Sequence, residues 1–108
     1  MTSKVTTLND ATFQENLQNG STFAVRLWAE WCMPCRMMSP IYEDVAGRIA
    51  DDSLMMGEVN IDEFPSVAVQ LGVRSIPTVV VFKEGKEVSR SAGMMPAPQL
   101  EQLVLSAK

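Results

Sequence analysis

Histidine is absent from this 108-residue chain, and cysteine occurs only twice. A structural zinc needs four ligands, usually Cys or His. Two cysteines could therefore complete a zinc site only across a dimer, and no metal is expected. No run of like charge suggests a tail or a polybasic membrane patch. The formal net charge of −4 argues against a nucleic-acid partner. The longest apolar runs, such as Ile76 to Phe82, fall far short of the ~20 residues a membrane span needs. The opening Met1-Thr2-Ser3-Lys4-Val5-Thr6-Thr7 lacks the apolar stretch of a secretory signal. A trimmed mature form stays open, but the expectation is a reducing cytoplasm, where paired thiols tend to be catalytic. Repeats, linkers and low-complexity segments are missing too. The remaining chain is 46% hydrophobic and of one-domain length, so residues 1–108 are expected to fold as a single, monomeric domain.

Both cysteines fall in one stretch, Trp31-Cys32-Met33-Pro34-Cys35. Two intervening residues let the sulfurs close a small ring, so the pair can shuttle between dithiol and disulfide. If a helix begins at Cys32, its unpaired amides and positive dipole end stabilise a thiolate there. The thiolate is the species that attacks a disulfide. Cys35 lies one helical turn on and is more sheltered. The division expected is that Cys32 attacks and Cys35 resolves. A purely structural bridge is the alternative, but a loop this short removes little unfolded-state entropy.

Around this stretch the pattern alternates. Asn9 or Asp10 caps a helix running to Asn19, with Phe13 and Leu17 on one stripe and Gly20 past its end. Ser21 to Trp28 reads as a strand with Phe23, Val25 and Leu27 on one face and Ala24, Arg26 and Trp28 on the other. A long helix follows from about Cys32 to Ala50, with Met37 or Met38, Ile41, Val45 and Ile49 as its buried stripe and Pro40 inside it. Leu54 to Ile61 is the next strand. A short helix has Asp62 near its start, Pro65 in its first turn and Gly72 after its end. The β-branched run Thr78 to Lys83 suits a strand buried on both faces. Glu84-Gly85 turns it into a strand at Lys86 to Ser91. Pro96 and Pro98 precede a last helix carrying Leu100, Leu103 and Val104. With a short strand at Val5 to Leu8, the order implies an α/β mixed sheet of four to five strands flanked by four helices.

At this point the chain resembles the thioredoxin family over nearly its whole length. The resemblance is carried by Trp28-Ala29-Glu30-Trp31-Cys32 with Pro34-Cys35, by Pro40, by Val59-Asn60-Ile61-Asp62, by Ser75-Ile76-Pro77-Thr78, by Phe82-Lys83-Glu84-Gly85 and by Gly93. It implies a thioredoxin fold with a cis bond before Pro77. It also implies reduction of protein disulfides, and re-reduction by a flavin- and NADPH-dependent thioredoxin reductase. No bound cofactor is expected, the Cys32–Cys35 disulfide being the redox group. The expected partner-binding groove is Trp31, Met33, Pro34, Ile76, Pro77, Gly93 and Met94, with a Met-rich, adaptable surface. Met37, Met55 and Met56 are expected in the core instead. A related oxidant or isomerase of an oxidising compartment and a non-enzymatic partner-binding subunit are the alternatives.

Three positions depart from the family pattern. Met33 stands where glycine is usual. Arg26 and Glu58 stand where thioredoxins carry a buried acid and a lysine. One such change alone would leave like charges together in a partly buried place, which is costly. Two changes restore opposite signs, so Arg26 and Glu58 are expected to pair beneath Cys35. Arg26 cannot accept a proton at working pH but can stabilise a thiolate. Glu58 is then the nearby candidate to take the Cys35 proton.

Overall fold

A computed structural model describes residues 4–49, 51 and 53–108. Their elements are β1 (Val5–Thr7), α1 (Asp10–Gln18), β2 (Phe23–Trp28), α2 (Met33–Ile49), β3 (Met55–Asn60), α3 (Pro65–Leu71), β4 (Thr78–Lys83), β5 (Lys86–Ala92) and α4 (Ala97–Leu105). The strands form one five-stranded sheet in the order β1-β3-β2-β4-β5. β3 runs parallel to both β1 and β2, whereas β4 is antiparallel to β2 and to β5. This is the mixed α/β sheet with four helices that the sequence implies. The expected end of the long helix at Ala50 lies outside the described residues, as do Met1, Thr2 and Ser3.

Local chemistry accounts for the boundaries. Asn9 Oδ1 accepts the Thr12 N–H at 2.7 Å, and Thr12 Oγ1 accepts the Asn9 N–H at 2.9 Å, a reciprocal cap that starts α1. Pro65 opens α3, where its missing N–H costs nothing. The β4–β5 turn places Glu84 and Gly85 at φ 53° and 80°, the left-handed pair that matches strand twist in a two-residue hairpin. Gly85 is also required by space, since a Cβ there would stand 2.5 Å from the Leu17 carbonyl oxygen.

Several boundaries shift from expectation. β2 starts at Phe23 and not Ser21, β3 covers Met55–Asn60 and not 54–61, and β5 runs on to Ala92. Asp62 sits in the turn ahead of α3, whose cap is Phe64. Pro98 lies in the first turn of α4, a place that tolerates it, and not ahead of the helix.

Period-two alternation on β2 divides the molecule. Phe23, Val25 and Leu27 are buried with Phe13 of α1, Val67 of α3, and Val80 and Phe82 of β4. Phe23 stacks on Phe82 with ring centroids 4.8 Å apart, and Phe13 meets both edge-on. Across the sheet, Ala24 packs with Met38, Tyr42 and Val45 of α2 and Leu100 and Val104 of α4. Arg26 belongs to this second face and is 2% exposed.

The stripe of α2 is rotated relative to expectation. Met38, Tyr42, Val45 and Ala46 are buried, Ile41 and Ile49 are half-buried, and Met37 is 56% exposed. The expectation of a core role for Met37 is therefore corrected. Tyr42 takes part in the stripe because its hydroxyl has an acceptor within the core, donating to the Gly57 carbonyl at 2.8 Å. Met56 is buried and Met55 half-buried, as expected of core methionines. Gly57, in β3, has no room for a side chain: a Cβ would lie 2.8 Å from Leu8 Cδ1.

Candidate active site

The site lies where the C-terminal end of β2 feeds α2. Ala29, Glu30 and Trp31 turn the chain, and the Cys32 N–H donates to the Ala29 carbonyl at 3.1 Å. The helix begins at Met33, one residue after the expected start, which makes Cys32 its capping residue. The Cys32 carbonyl accepts the Arg36 N–H at 3.1 Å. The Cys32 Sγ accepts the Cys35 N–H at 3.3 Å, the bond a capping side chain makes to the third helical amide. A thiolate at that sulfur would take the same N–H as a charge-assisted bond and gain from the helix dipole. Pro34 occupies the second helical position, where no intrahelical donor is needed.

Cys32 and Cys35 form a disulfide with their Cα atoms 5.2 Å apart. Cys32 is 5% exposed and Cys35 fully buried. Ala29 is buried with them, and Trp28, Ile61 and Ile76 pack around the group. The Ile76–Pro77 peptide is cis. The Ile76 carbonyl oxygen lies 3.7 Å from Cys32 Sγ, so the loop before β4 faces the reactive sulfur. The Pro77 carbonyl accepts the Gly93 N–H at 2.7 Å, tying the end of β5 to the same loop.

The remaining groove residues divide. Trp31 and Met33 are the most open of them, at 69% and 62% exposed, and Pro34 is exposed beside them. Met94 is 44% exposed and lines, with Ile41, Met95 and Pro96, an apolar cavity of about 380 Å³ at the junction of α2 and α4. Met37 is a groove candidate that sequence reasoning missed. It shares the Met33 side of α2, four residues on, and the i, i+4 spacing of Met33 and Met37 was its available signal.

Against the backbone of Cys35 lies a largely buried charge network. Arg26 and Glu58 are register partners on β2 and β3. The Arg26 Nη2 donates to Glu58 Oε2 at 2.7 Å and to Ser39 Oγ at 3.0 Å. Its Nη1 donates to the Cys35 carbonyl at 2.7 Å, and Ser39 Oγ donates to that same carbonyl at 3.2 Å. The guanidinium carbon sits 5.4 Å from the ring centroids of both Trp28 and Tyr42. The pair thus forms, but Arg26 reaches Cys35 through its backbone carbonyl, whereas a direct stabiliser of a thiolate would bond the sulfur. Arg26 Nε has no hydrogen-bond partner among the described residues. Ser39 and Tyr42 were not singled out from sequence, because a Ser and a Tyr on a helix give no signal of this kind. Burial raises the Tyr42 phenol far above its ordinary value, with Arg26 pulling it down and Glu58 pushing it up.

Among the described residues, no group of three or more His, Cys, Asp or Glu is placed to hold a metal ion. No helix among them is long and apolar enough to cross a membrane. The redox group among the described residues is the Cys32–Cys35 pair itself.

Comparison with known proteins agrees with this geometry. The family model described as Thioredoxin matches residues 4–106. The chain is 43% identical over 95 residues to the thioredoxin of Alicyclobacillus acidocaldarius, covering 88% of this chain and 90% of that one. It is 44% identical over 94 residues to thioredoxin 1 of Synechococcus elongatus, covering 86% and 87%. The crystal structure of Malassezia sympodialis thioredoxin superposes with a TM-score of 0.86 at 25% identity, covering 98% of this chain and 92% of that chain. The chain belongs to the thioredoxin family and is a thiol-disulfide oxidoreductase that reduces protein disulfides.

Proposed function

We propose that Cys32 is the attacking thiol and Cys35 the resolving thiol of this reductase. The observation that carries the assignment is the capping geometry. Cys32 Sγ accepts the Cys35 N–H at the start of α2, and Cys35 is the more deeply buried of the two. In the reduced protein the Cys32 thiolate attacks a substrate disulfide. A bond forms between Cys32 and one substrate sulfur, and the other leaves as a thiolate that takes up a proton. Cys35 then attacks Cys32 Sγ, closing the intramolecular disulfide and releasing the second substrate sulfur.

The substrate segment lies against Trp31, Met33, Pro34, Ile76, Pro77, Gly93 and Met94, with Met37 extending that surface along α2. Thioethers suit partners of varied shape. The Ile76 carbonyl, beside Cys32, is the acceptor offered to an extended substrate backbone. The chain works as a single, monomeric domain in a reducing cytoplasm and carries no cofactor beyond its disulfide. A flavin- and NADPH-dependent thioredoxin reductase returns it to the dithiol. Neither nucleic acid nor membrane takes part.

Insulin reduction with NADPH and thioredoxin reductase tests the activity and the partner together. Trapping tests the division of labour: Cys35→Ser accumulates mixed disulfides with substrates, and Cys32→Ser forms none. Stable mixed disulfides on Cys32→Ser would reverse the assignment.

A further inference from the structure

The chemistry just described uses the two sulfurs and leaves without a role a buried ion pair that is bonded to the Cys35 backbone. Arg26 is the only charged side chain among the buried residues of the described chain. Its two terminal nitrogens are used differently. Nη1 serves the Cys35 carbonyl, and Nη2 serves the Glu58 carboxylate. The cation is therefore bonded to the Cys35 carbonyl, and the anion is bonded to the guanidinium on its other terminal nitrogen. Glu58 is also the wetter partner, 19% exposed against 2% for Arg26. Ser39 fixes the arrangement, accepting from Nη2 and donating to the Cys35 carbonyl. Trp28 and Tyr42 each bring a ring to 5.4 Å from the guanidinium carbon.

We propose that Arg26 and Glu58 act as positioning residues, an oriented ion pair whose positive end is bonded to the Cys35 carbonyl, favours the Cys35 thiolate through the local field in the resolving step and so sets the reduction potential of the disulfide. The inference rests on Cys35 being the resolving thiol. A buried thiol resists ionisation, and a nearby cation offsets that resistance. In the resolving step the Cys35 sulfur bonds to Cys32 Sγ, and the bond from Cys32 to the substrate sulfur breaks. The electron pair leaves with that sulfur, and the proton given up by Cys35 ends on the departing substrate thiol. The other charged groups near the network are Glu30 and Arg36, which line an open recess with Trp28 and Ser39. Both are exposed and of opposite sign, so they leave the orientation of the buried pair in control. Tyr42, the remaining titratable group, is committed to the Gly57 carbonyl.

The sign of the effect makes this testable. Stabilising a thiolate stabilises the dithiol form and makes the disulfide a stronger oxidant. Arg26→Met should shift the equilibrium with glutathione on the order of tenfold toward the disulfide form and slow resolution similarly. Glu58→Gln should shift the same equilibrium the opposite way, with resolution unchanged or faster. Arg26→Lys, which keeps the charge, should stay near the parent protein. A purely structural role would move stability in one direction for both substitutions and would not split the equilibrium by sign. Shifts in the same direction, or no shift with Glu58→Gln, overturn the proposal. So does slower resolution in Glu58→Gln, which would make that carboxylate the proton acceptor instead. If Arg26→Met fails to fold, Glu58→Gln alone decides. Cys35→Ser trapping checks the order of attack separately, since the potential belongs to the pair whichever sulfur attacks first.

Discussion

β2 presents two faces built from the same six residues and opposed in chemistry. Toward α1 and α3 it offers Phe23, Val25 and Leu27, joined to Phe13 and Phe82 in an aromatic cluster without a charged member. Toward α2 it offers Ala24, Arg26 and Trp28, and there the sheet buries a guanidinium near the rings of Trp28 and Tyr42. The first face is the cheaper way to make a core, because apolar burial needs no partner geometry. The second is costly unless each polar atom is matched, and Arg26 Nε shows that matching is incomplete. The cysteine segment lies past the C-terminal end of β2, with Ile61 and Ile76 of the aromatic side packed on it and Arg26 of the other side bonded to the Cys35 carbonyl. Both faces bury apolar core and so carry stability, but only the second brings a charge to the reactive segment.

Substitutions on each side should separate the two properties. The largest effect is expected at the sulfur itself. Cys32→Ser should lower insulin reduction by at least ~10³-fold, as loss of a nucleophile does, and leave the thermal midpoint of the reduced protein nearly unmoved. Phe23→Ala, on the aromatic side, should cost about 3–5 kcal/mol in denaturant titration. The reduction potential of the surviving folded protein should match the parent. A changed potential would break the comparison, because it would show the aromatic face reaching the disulfide.

Tyr42→Phe should cost about 1–2 kcal/mol, the price of leaving the Gly57 carbonyl buried without its donor. Burial raises the folded-state value of this phenol, so Tyr42 contributes stability below the unfolded value of ~10 and loses it as pH rises further. Tyr42 is the one tyrosine of the sequence. Tyrosinate absorbance above pH ~10 should therefore appear together with unfolding and not before it. The smallest effect is expected on the open side of the site. Met33→Gln with Met94→Gln should raise the KM for a protein disulfide several-fold at little change in kcat, and stability should move by no more than ~0.5 kcal/mol.

The faces of β2 were legible in the sequence because strand alternation is a strict period of two, and Arg26 was conspicuous against it. The turn at Glu84-Gly85, the limits of β4 and the reactive pair were legible for similarly local reasons. The register that brings Glu58 beside Arg26 follows from parallel pairing of β2 and β3, and the charge signs anticipated it. The α2 stripe was less legible. Adjacent Met37 and Met38 fit a helical period equally well, and Tyr42 wins its place through a hydrogen bond that no periodicity records. Ser39 was invisible for the same reason, since its role depends on a carbonyl one turn back and a guanidinium from another strand. Asp62 was drawn into α3 by its capping chemistry, yet Pro65 fixes where that helix begins.

Gly57 carries a last consequence. It has no reactive group, yet its carbonyl holds Tyr42 on one side of the sheet and its bare Cα admits Leu8 on the other. It pairs with Thr6 and Val25 in the middle of the parallel strands. A methyl group added there would crowd the buried Leu8 and the Met55 sulfur, on the strand whose carbonyl anchors Tyr42, a ring that lies near the Arg26 guanidinium. One residue without a reactive group thus joins the aromatic side of the sheet, through Leu8, to the charged side, through Tyr42. A side chain at Gly57 must find room in packed core, whereas Met33 and Met94 stand in the open, where other side chains fit.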